Sequence, residues 1–408
     1  MTPVPPPLLQ LDDALEAVRA RVVPLPAEQV PLGEAHGRVL AAPIVAARDQ
    51  PAHDISMMDG YALRARDASR PLRVVAEIAA GAAPIERPLG EGEAARIFTG
   101  APVPPGADCV VMQEQCTRKG DRVQLEKAAA PKPGQHIRRR AEELRAGAPT
   151  LAPGTLLGPA ELSLAAACGV SAVVAFRRPR VAILNTGDEL VPVGKVPGPG
   201  QIVETNSLSL AALVREAGGE PILLGVEGDD PARIAARLSA AQADVLLTTG
   251  GASVGDHDHA QEALERLGGA LVFHRVAIRP GKPILFGVAQ GKLLFGLPGN
   301  PAAATLGHEL FVRLALRLLQ GDPFPERARA HAVLRGALSR VKGMTFFPRG
   351  RAFFEGATLA FAPGAQQSSM QIASFAGANA VAVLAPGEGK LEEGDLVEVL
   401  LLGGFKEA

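Results

Sequence analysis

The run Thr248-Thr249-Gly250-Gly251-Ala252-Ser253-Val254-Gly255-Asp256 has the residue types of an anion pocket. Its hydroxyls and glycines follow an apolar stretch, residues 244–247, and precede a helix-compatible segment, residues 259–267. A strand, a glycine turn and a helix in that order leave free backbone N–H groups pointing at a bound oxyanion. Asp256 and Asp258 at the rim add carboxylates able to hold a divalent cation. Taken alone, a tight turn that needs glycine for its backbone angles explains the same residues equally well.

Two further acidic loops, Asn185-Thr186-Gly187-Asp188-Glu189-Leu190 and Gly228-Asp229-Asp230, also come after apolar runs. In a doubly wound sheet all three loops share one edge, so Asp188, Glu189, Asp229, Asp256 and Asp258 can converge. Clustered carboxylates repel unless a cation neutralises them, and Mg²⁺ on Asp188, Glu189, Asp229 and Asp256 is the economical occupant. Asp230, before Pro231, reads instead as a helix cap. Opposite in sign, Arg279-Pro280-Gly281-Lys282-Pro283 puts two cations around a glycine turn, suited to a tetrahedral oxyanion. Leu297-Pro298-Gly299-Asn300-Pro301 ends a strand and opens a helix, aiming its amides at the same edge. Solvated loop charge is the plainer reading of Arg279 and Lys282 alone; beside the acidic loops, a site is favoured.

Outside that segment, Ser56-Met57-Met58-Asp59-Gly60-Tyr61 places an acid before a glycine turn, and Thr99-Gly100-Ala101-Pro102 is a hydroxyl-glycine turn. Arg138-Arg139-Arg140 precedes Glu142 and Glu143, a charge run of the kind that commonly forms a solvated face. Asp256-His257-Asp258-His259 suggests a transition metal, but adjacent loop histidines rarely ligate one ion, so both stay unassigned.

These loops need a framework. A chain of 408 residues exceeds one ordinary core, and two to four domains are expected. Residues 179–326 alternate strands (181–184, 222–226, 245–248, 271–278, 283–288, 292–296) with helices opened by Asn206, by Asp230-Pro231 and by Asn300-Pro301. That pattern predicts a multidomain α/β chain whose centre is a doubly wound, largely parallel sheet. Residues 49–147 carry short apolar runs between Gly and Pro turns, a β-rich insertion, and 327–408 fit a small β-barrel or sandwich. A helical stripe covers 8–22, and 30–48 reads as linker-like.

Composition narrows the partners. With 4% aromatics, no Trp and one Tyr, the cores are aliphatic and stacking platforms for single-stranded nucleic acid are scarce. A net charge of −1 supplies no field to recruit nucleic acid or an anionic membrane. Three cysteines at irregular spacing suit buried thiols in a reducing compartment. No apolar run reaches membrane-spanning length and the proline-rich start is unlike a signal peptide, so a cytoplasmic protein is expected.

Taken together the motifs resemble those of the molybdopterin molybdenumtransferase family, the MoeA-like molybdenum insertases related to the gephyrin E domain. The matching strings are Met58-Asp59-Gly60-Tyr61-Ala62, Thr99-Gly100-Ala101-Pro102, Val110-Val111-Met112-Gln113-Glu114, Ile137-Arg138-Arg139-Arg140, Thr186 to Leu190, Thr248 to Asp256, Pro280-Gly281-Lys282-Pro283 and Gly296 to Pro301. The resemblance implies an elongated linker and dimerisation domain (1–48 with 148–178), a β-rich insertion (49–147), an α/β molybdopterin-binding domain (179–326) and a C-terminal β-barrel (327–408). It implies a homodimer whose active site is shared between subunits. The implied reaction inserts molybdate into adenylylated molybdopterin with Mg²⁺-dependent release of AMP. A molybdopterin adenylyltransferase is implied as pathway partner.

By position, the resemblance gives Asp59, Thr99, Glu189, Asp229 and Asp258 catalytic roles. Thr248, Gly250, Gly251, Ser253 and Asp256 line the pterin phosphate pocket, Arg279 and Lys282 hold molybdate, and Pro298, Gly299, Asn300, Pro301, Arg138, Arg139 and Arg140 complete the substrate-binding set. Where the family often has Arg-Gly-Glu-Asp, this chain has Arg140-Ala141-Glu142-Glu143, and Arg279 stands where Lys is common. The alternatives are the sister adenylyltransferase, which has no counterpart of the β-rich insertion, and a non-catalytic scaffold of the gephyrin type.

Overall fold

The computed structural model of the protein describes residues 8–126, 130–251 and 259–403. The chain forms two compact units, one made of Gln29–His36 and Leu40–Ala175, the other of the rest.

In the first unit, short strands bounded by glycine and proline assemble a six-stranded sheet. Its order is Cys109–Met112, Gly60–Leu63, Glu93–Ile97, Leu72–Ile78, Arg122–Leu125, Cys116–Lys119. Alternation along Gly60–Leu63 sends Tyr61 and Leu63 to one core with Leu72, Val111 and Val123. Ala62 goes to the other core, with Ile78, Ile97 and Val110. The expected β-rich insertion is present. The 30–48 stretch is no linker: Val30, Leu40, Ile44 and Ala46 pack with Leu157, Ala165, Cys168 and Val173, and Ile44–Val45 pairs with Pro149–Leu151. Its apolar residues fall between Pro31, Gly33, Gly37 and Pro43, which erases any helical or strand period. Burial pushes the Cys109 thiol up to about 12 and that of Cys116 to about 11, which leaves both unreactive at neutral pH.

The second unit carries the α/β layers: β1 (Arg180–Thr186), α1 (Asn206–Glu216), β2 (Glu220–Glu227), α2 (Pro231–Ala240), β3 (Val245–Thr249), α3 (His259–Arg266), β4 (Ala270–His274), β5 (Leu285–Ala289), β6 (Lys292–Leu297) and α4 (Pro301–Gly307). The sheet order is β2-β1-β3-β6-β5-β4. The first four strands are parallel, and the last two join antiparallel. Both faces are covered, as parallel sheets require. Val181, Ile183, Val245, Leu247 and Phe295 meet α1 and α4 on one side. Ala182, Leu184, Leu246 and Leu294 meet α2 and α3 on the other. The parallel strands therefore end together at Thr186, Glu227, Thr249 and Leu297, and this rim is where ligands bind in such sheets. The helix begun at Pro301 does reach Leu319, through a π-turn at His308–Val312.

Five further strands close a barrel in the order Arg329–Leu334, Thr358–Pro363, Arg349–Glu355, Ala380–Ala382, Leu396–Leu401. Closure leaves no free edge, which decides between barrel and sandwich. Among the described residues no helix is long and apolar enough to cross a membrane.

Candidate functional site

The carboxyl rim of the α/β sheet holds two adjoining cavities. The larger, about 800 Å³, is bounded by Thr186, Glu189, Thr249, Gly250, Gly251, Asn206, Pro298, Gly299, Asn300 and Pro301. The smaller, about 580 Å³, is bounded by Arg279, Gly281, Lys282, Pro298, Asn300, Gln367, Ser368 and Ser369. Pro283, Pro298 and Asn300 form the wall common to both.

The larger cavity owes its floor to glycine. Gly250 and Gly251 have φ of +90° and +64°, which side chains resist, and a Cβ on Gly250 would overlap the Thr186 carbonyl oxygen. Gly250→Ala is expected to destabilise this unit by about 2–4 kcal/mol, from left-handed strain plus overpacking. Thermal or denaturant unfolding of the variant checks this, and an unchanged midpoint would contradict it. Thr248, expected in the pocket, is buried in β3 with its hydroxyl unpaired, beside the Cα of Gly296. Strand alternation gives the pocket position to Thr249, whose Oγ1 donates to Asn185 Oδ1. Ser253, Asp256 and Asp258 lie outside the described residues.

The caps also differ from expectation. Asn206 is the first residue of α1 and Thr205 its N-cap; Glu204, just before, accepts the Ser207 N–H at 2.7 Å, while Asn206 Nδ2 donates to the Gly299 carbonyl at 2.8 Å. Asn300 holds the N-cap position of α4 as expected but makes no side-chain cap bond; its Nδ2 donates to Ser369 Oγ at 3.4 Å. Asp230 caps α2 as expected, accepting from Ala232 and Arg233 N–H groups. Two backbone loops are thereby tied to the cavity wall by side-chain amides.

Of the acids expected to hold Mg²⁺, the described ones, Asp188, Glu189 and Asp229, do not gather at one point. Asp188 and Asp229 touch, Asp188 Oδ1 accepting the Asp229 N–H at 3.3 Å, and Glu189 faces the larger cavity. Among the described residues no three acid, His or Cys side chains come together to hold a metal ion. Asp188, Glu189 and Asp229 thus supply one or two carboxylates at a time, the number Mg²⁺ uses when substrate phosphates and water complete its shell.

The smaller cavity is cationic. Arg279 and Lys282 are exposed and, among the described residues, have no carboxylate partner; the Arg279 guanidinium lies 5.5 Å from the Phe346 ring centre. Its third wall comes from the barrel, which sequence reasoning missed. Gln367 Oε1 accepts the Arg349 N–H at 2.9 Å, and its Nε2 donates back to the Arg349 carbonyl at 2.8 Å. That clamp presents Ser368 and Ser369. Arg349 is wholly buried, donates to the Ser368 carbonyl at 3.1 Å, and leaves Nε and Nη1 unpaired. Burial pushes its pKa down to about 10, so it stays charged and adds positive potential behind the serines. The available signal was a polar Gln366-Gln367-Ser368-Ser369 cluster between barrel strands.

In the first unit, Asp59 and Thr99 meet: the Thr99 N–H and Oγ1–H both donate to Asp59 Oδ1 at 2.8 Å. These bonds hold the Asp59 carboxyl below its usual range, so it is ionised at neutral pH. Arg138, Arg139 and Arg140 are paired within the unit, with Glu143 (2.8 Å), Asp54 (2.6 Å) and Asp49 (2.7 Å). They frame the turn, each charge facing a carboxylate of its own unit. Ala141 in that turn has φ +58°, which accounts for a family preference for glycine there. Ala141→Gly should stabilise the protein by about 0.5–1 kcal/mol, left-handed strain exceeding glycine's extra chain entropy. A lowered thermal midpoint would contradict this.

Comparison with known proteins agrees along the whole chain. Residues 9–169 match the MoeA N-terminal region (domain I and II), 182–318 a probable molybdopterin binding domain, and 331–402 the MoeA C-terminal region (domain IV). The chain is 39% identical to the molybdopterin molybdenumtransferase of a Nostoc species, over 92% of this chain and 88% of the relative. It is 40% identical to molybdopterin molybdenumtransferase 2 of Mycobacterium tuberculosis, over 78% and 82%. The crystal structure of the molybdopterin biosynthesis moea protein from Pyrococcus horikosii superposes with a TM-score of 0.83 at 32% identity, covering 98% of this chain and 100% of that one. The motif resemblance and the multidomain fold it implied are borne out, and the chain belongs to the molybdopterin molybdenumtransferase family.

Proposed function

We propose that this transferase of molybdenum cofactor biosynthesis takes adenylylated molybdopterin into the larger rim cavity and molybdate into the smaller. One observation carries the reading: a glycine floor and a cation pair with no carboxylate partner among the described residues occupy adjoining cavities with a common wall. A tetrahedral dianion suits Arg279, Lys282 and the Ser368–Ser369 turn. The phosphates suit the Gly251 amide and the positive end of the α4 dipole, the Gly250 N–H itself donating to the Leu297 carbonyl at 3.2 Å. Molybdenum passes to the two dithiolene sulfurs as a molybdate oxygen leaves in water with the thiol protons, and a water molecule cleaves the phosphoanhydride, releasing AMP and leaving the phosphate on the pterin. Mg²⁺ belongs to this proposal as an ion held on substrate phosphoryl oxygens, water and one or two of Asp188, Glu189 and Asp229; it offsets charge on those oxygens.

The proposal includes a cytoplasmic homodimer in which Asp59 of a second copy completes each site. The four-segment division is part of it, supported for residues 30–48 and 148–178 by the common core of Val30, Leu40, Leu157 and Val173, whereas Leu11, Ala14 and Val18 pack into the α/β core. A molybdopterin adenylyltransferase supplies the substrate. The test is purified protein with adenylylated molybdopterin, molybdate and Mg²⁺. AMP release with cofactor formation is expected; adenylylation of molybdopterin from ATP, or neither product, would contradict the reading. Glu189→Gln should raise the Mg²⁺ concentration required, and an unaltered titration removes Glu189 from the ion's surroundings.

A further inference from the structure

Asp59 sits at the end of a short loop, where side chains ordinarily sample several rotamers. Here it is held from several directions. Thr99 gives both of its donors to Oδ1, and among the described residues Oδ2 has no hydrogen-bond partner. The Asp59 carbonyl accepts the Gln113 N–H at 3.0 Å. Arg96, on the neighbouring strand, donates from Nη1 to the Gly60 carbonyl at 2.9 Å and from Nη2 to the Gln113 side chain. Its guanidinium lies 4.6 Å from the Phe98 ring centre and 5.4 Å from that of Tyr61. Gly60 packs closely against the adjacent strand, where a Cβ would overlap the Val111 carbonyl oxygen.

We propose that Arg96 and Thr99 are positioning residues for Asp59, locking its carboxylate with one oxygen saturated and the other open as a fixed anion. This rests on Asp59 serving the insertion reaction, as read above. Thr99 then acts through Asp59 and not on substrate, unlike the catalytic role first expected of it. Arg96 acts by shape: a planar fork between two rings grips Gly60, which follows Asp59, and Gln113, whose N–H the Asp59 carbonyl accepts. Lysine keeps the charge and loses that grip.

The test combines steady-state AMP release with ¹³C NMR titration of Asp-labelled full-length protein, the Asp59 resonance being assigned by its loss in Asp59→Asn. Thr99→Val should lower kcat about tenfold at unchanged KM for molybdate, on the scale of a misplaced group. It should also raise the Asp59 titration midpoint, because one of two donors is lost. Thr99→Ser, which keeps both donors, should restore rate and midpoint. Arg96→Lys should lower kcat about tenfold and shift the Asp59 resonance with the thermal midpoint retained. A slow Thr99→Val whose Asp59 titration is unmoved would overturn the proposal, as would Arg96→Lys at the parental rate. If Asp59→Asn itself is fully active, Asp59's part in the reaction fails. The Thr99→Val titration would still report whether the lock exists.

Discussion

Asp59→Asn is expected to lower molybdenum insertion by about 10²–10³-fold, on the scale of removing one preorganised electrostatic group. Asparagine keeps an Oδ1 acceptor for both Thr99 donors, so the turn survives and only the charge is lost. Asp59 packs in neither core of its unit. Unfolding midpoint and dimer mass should therefore stay at parental values, within about 0.5 kcal/mol for a surface change. Near-normal turnover of a folded variant would remove Asp59 from the reaction. A collapsed dimer would instead make the residue structural.

Lys282→Ala is expected to raise the molybdate concentration for half-saturation about 10–100-fold, with kcat at saturating oxyanion little changed. The range follows from about 1.5–3 kcal/mol for a hydrogen bond to a charged group and 1.4 kcal/mol per tenfold in affinity. Lys282 is exposed and, among the described residues, unpaired, so its loss leaves no orphaned carboxylate and little stability cost. Molybdate-dependent initial rates decide the matter. An unchanged curve removes Lys282 from the oxyanion cavity and shifts the weight to Arg279 and the barrel serines.

The α/β unit was legible because its signals are local. Buried strands such as β1 and β3 are continuous apolar runs, and Asp230-Pro231 and Asn300-Pro301 mark helix starts. Parallel strands then bring Thr186, Glu227, Thr249 and Leu297 to one rim without further information. What escaped sequence reasoning depended on register or on distant chain. Thr248 and Thr249 differ only by the alternation of one strand, and the sequence does not say which faces out. The clamp between Arg349 and Gln367 joins two parts of a barrel whose closure is a tertiary event. Arg139 and Arg140 read as free charge because Asp54 and Asp49, their partners, lie some ninety residues earlier.

The same distinction governs the acids. Asp188 and Asp229 are brought together by adjacent strands, as the topology demands. Glu189, one residue on, points to the larger cavity instead. Position in a loop predicted proximity; the direction of each side chain was set by turn geometry, including Gly187 at φ +149°.

Mixing two variants, both impaired at limiting molybdate, tests the central claim most directly. Asp59→Asn and Lys282→Ala each spoil every site in their own dimers. If one site draws Asp59 and Lys282 from different copies, a mixed dimer contains one intact site and one doubly damaged site. After subunit exchange at equal amounts, measured at limiting molybdate, AMP release should recover to about a quarter of the parental rate, since half the dimers are mixed and each has one working site. Mixed dimers that form, as shown by native mass, yet recover no activity above the separate variants would contradict a site shared between subunits.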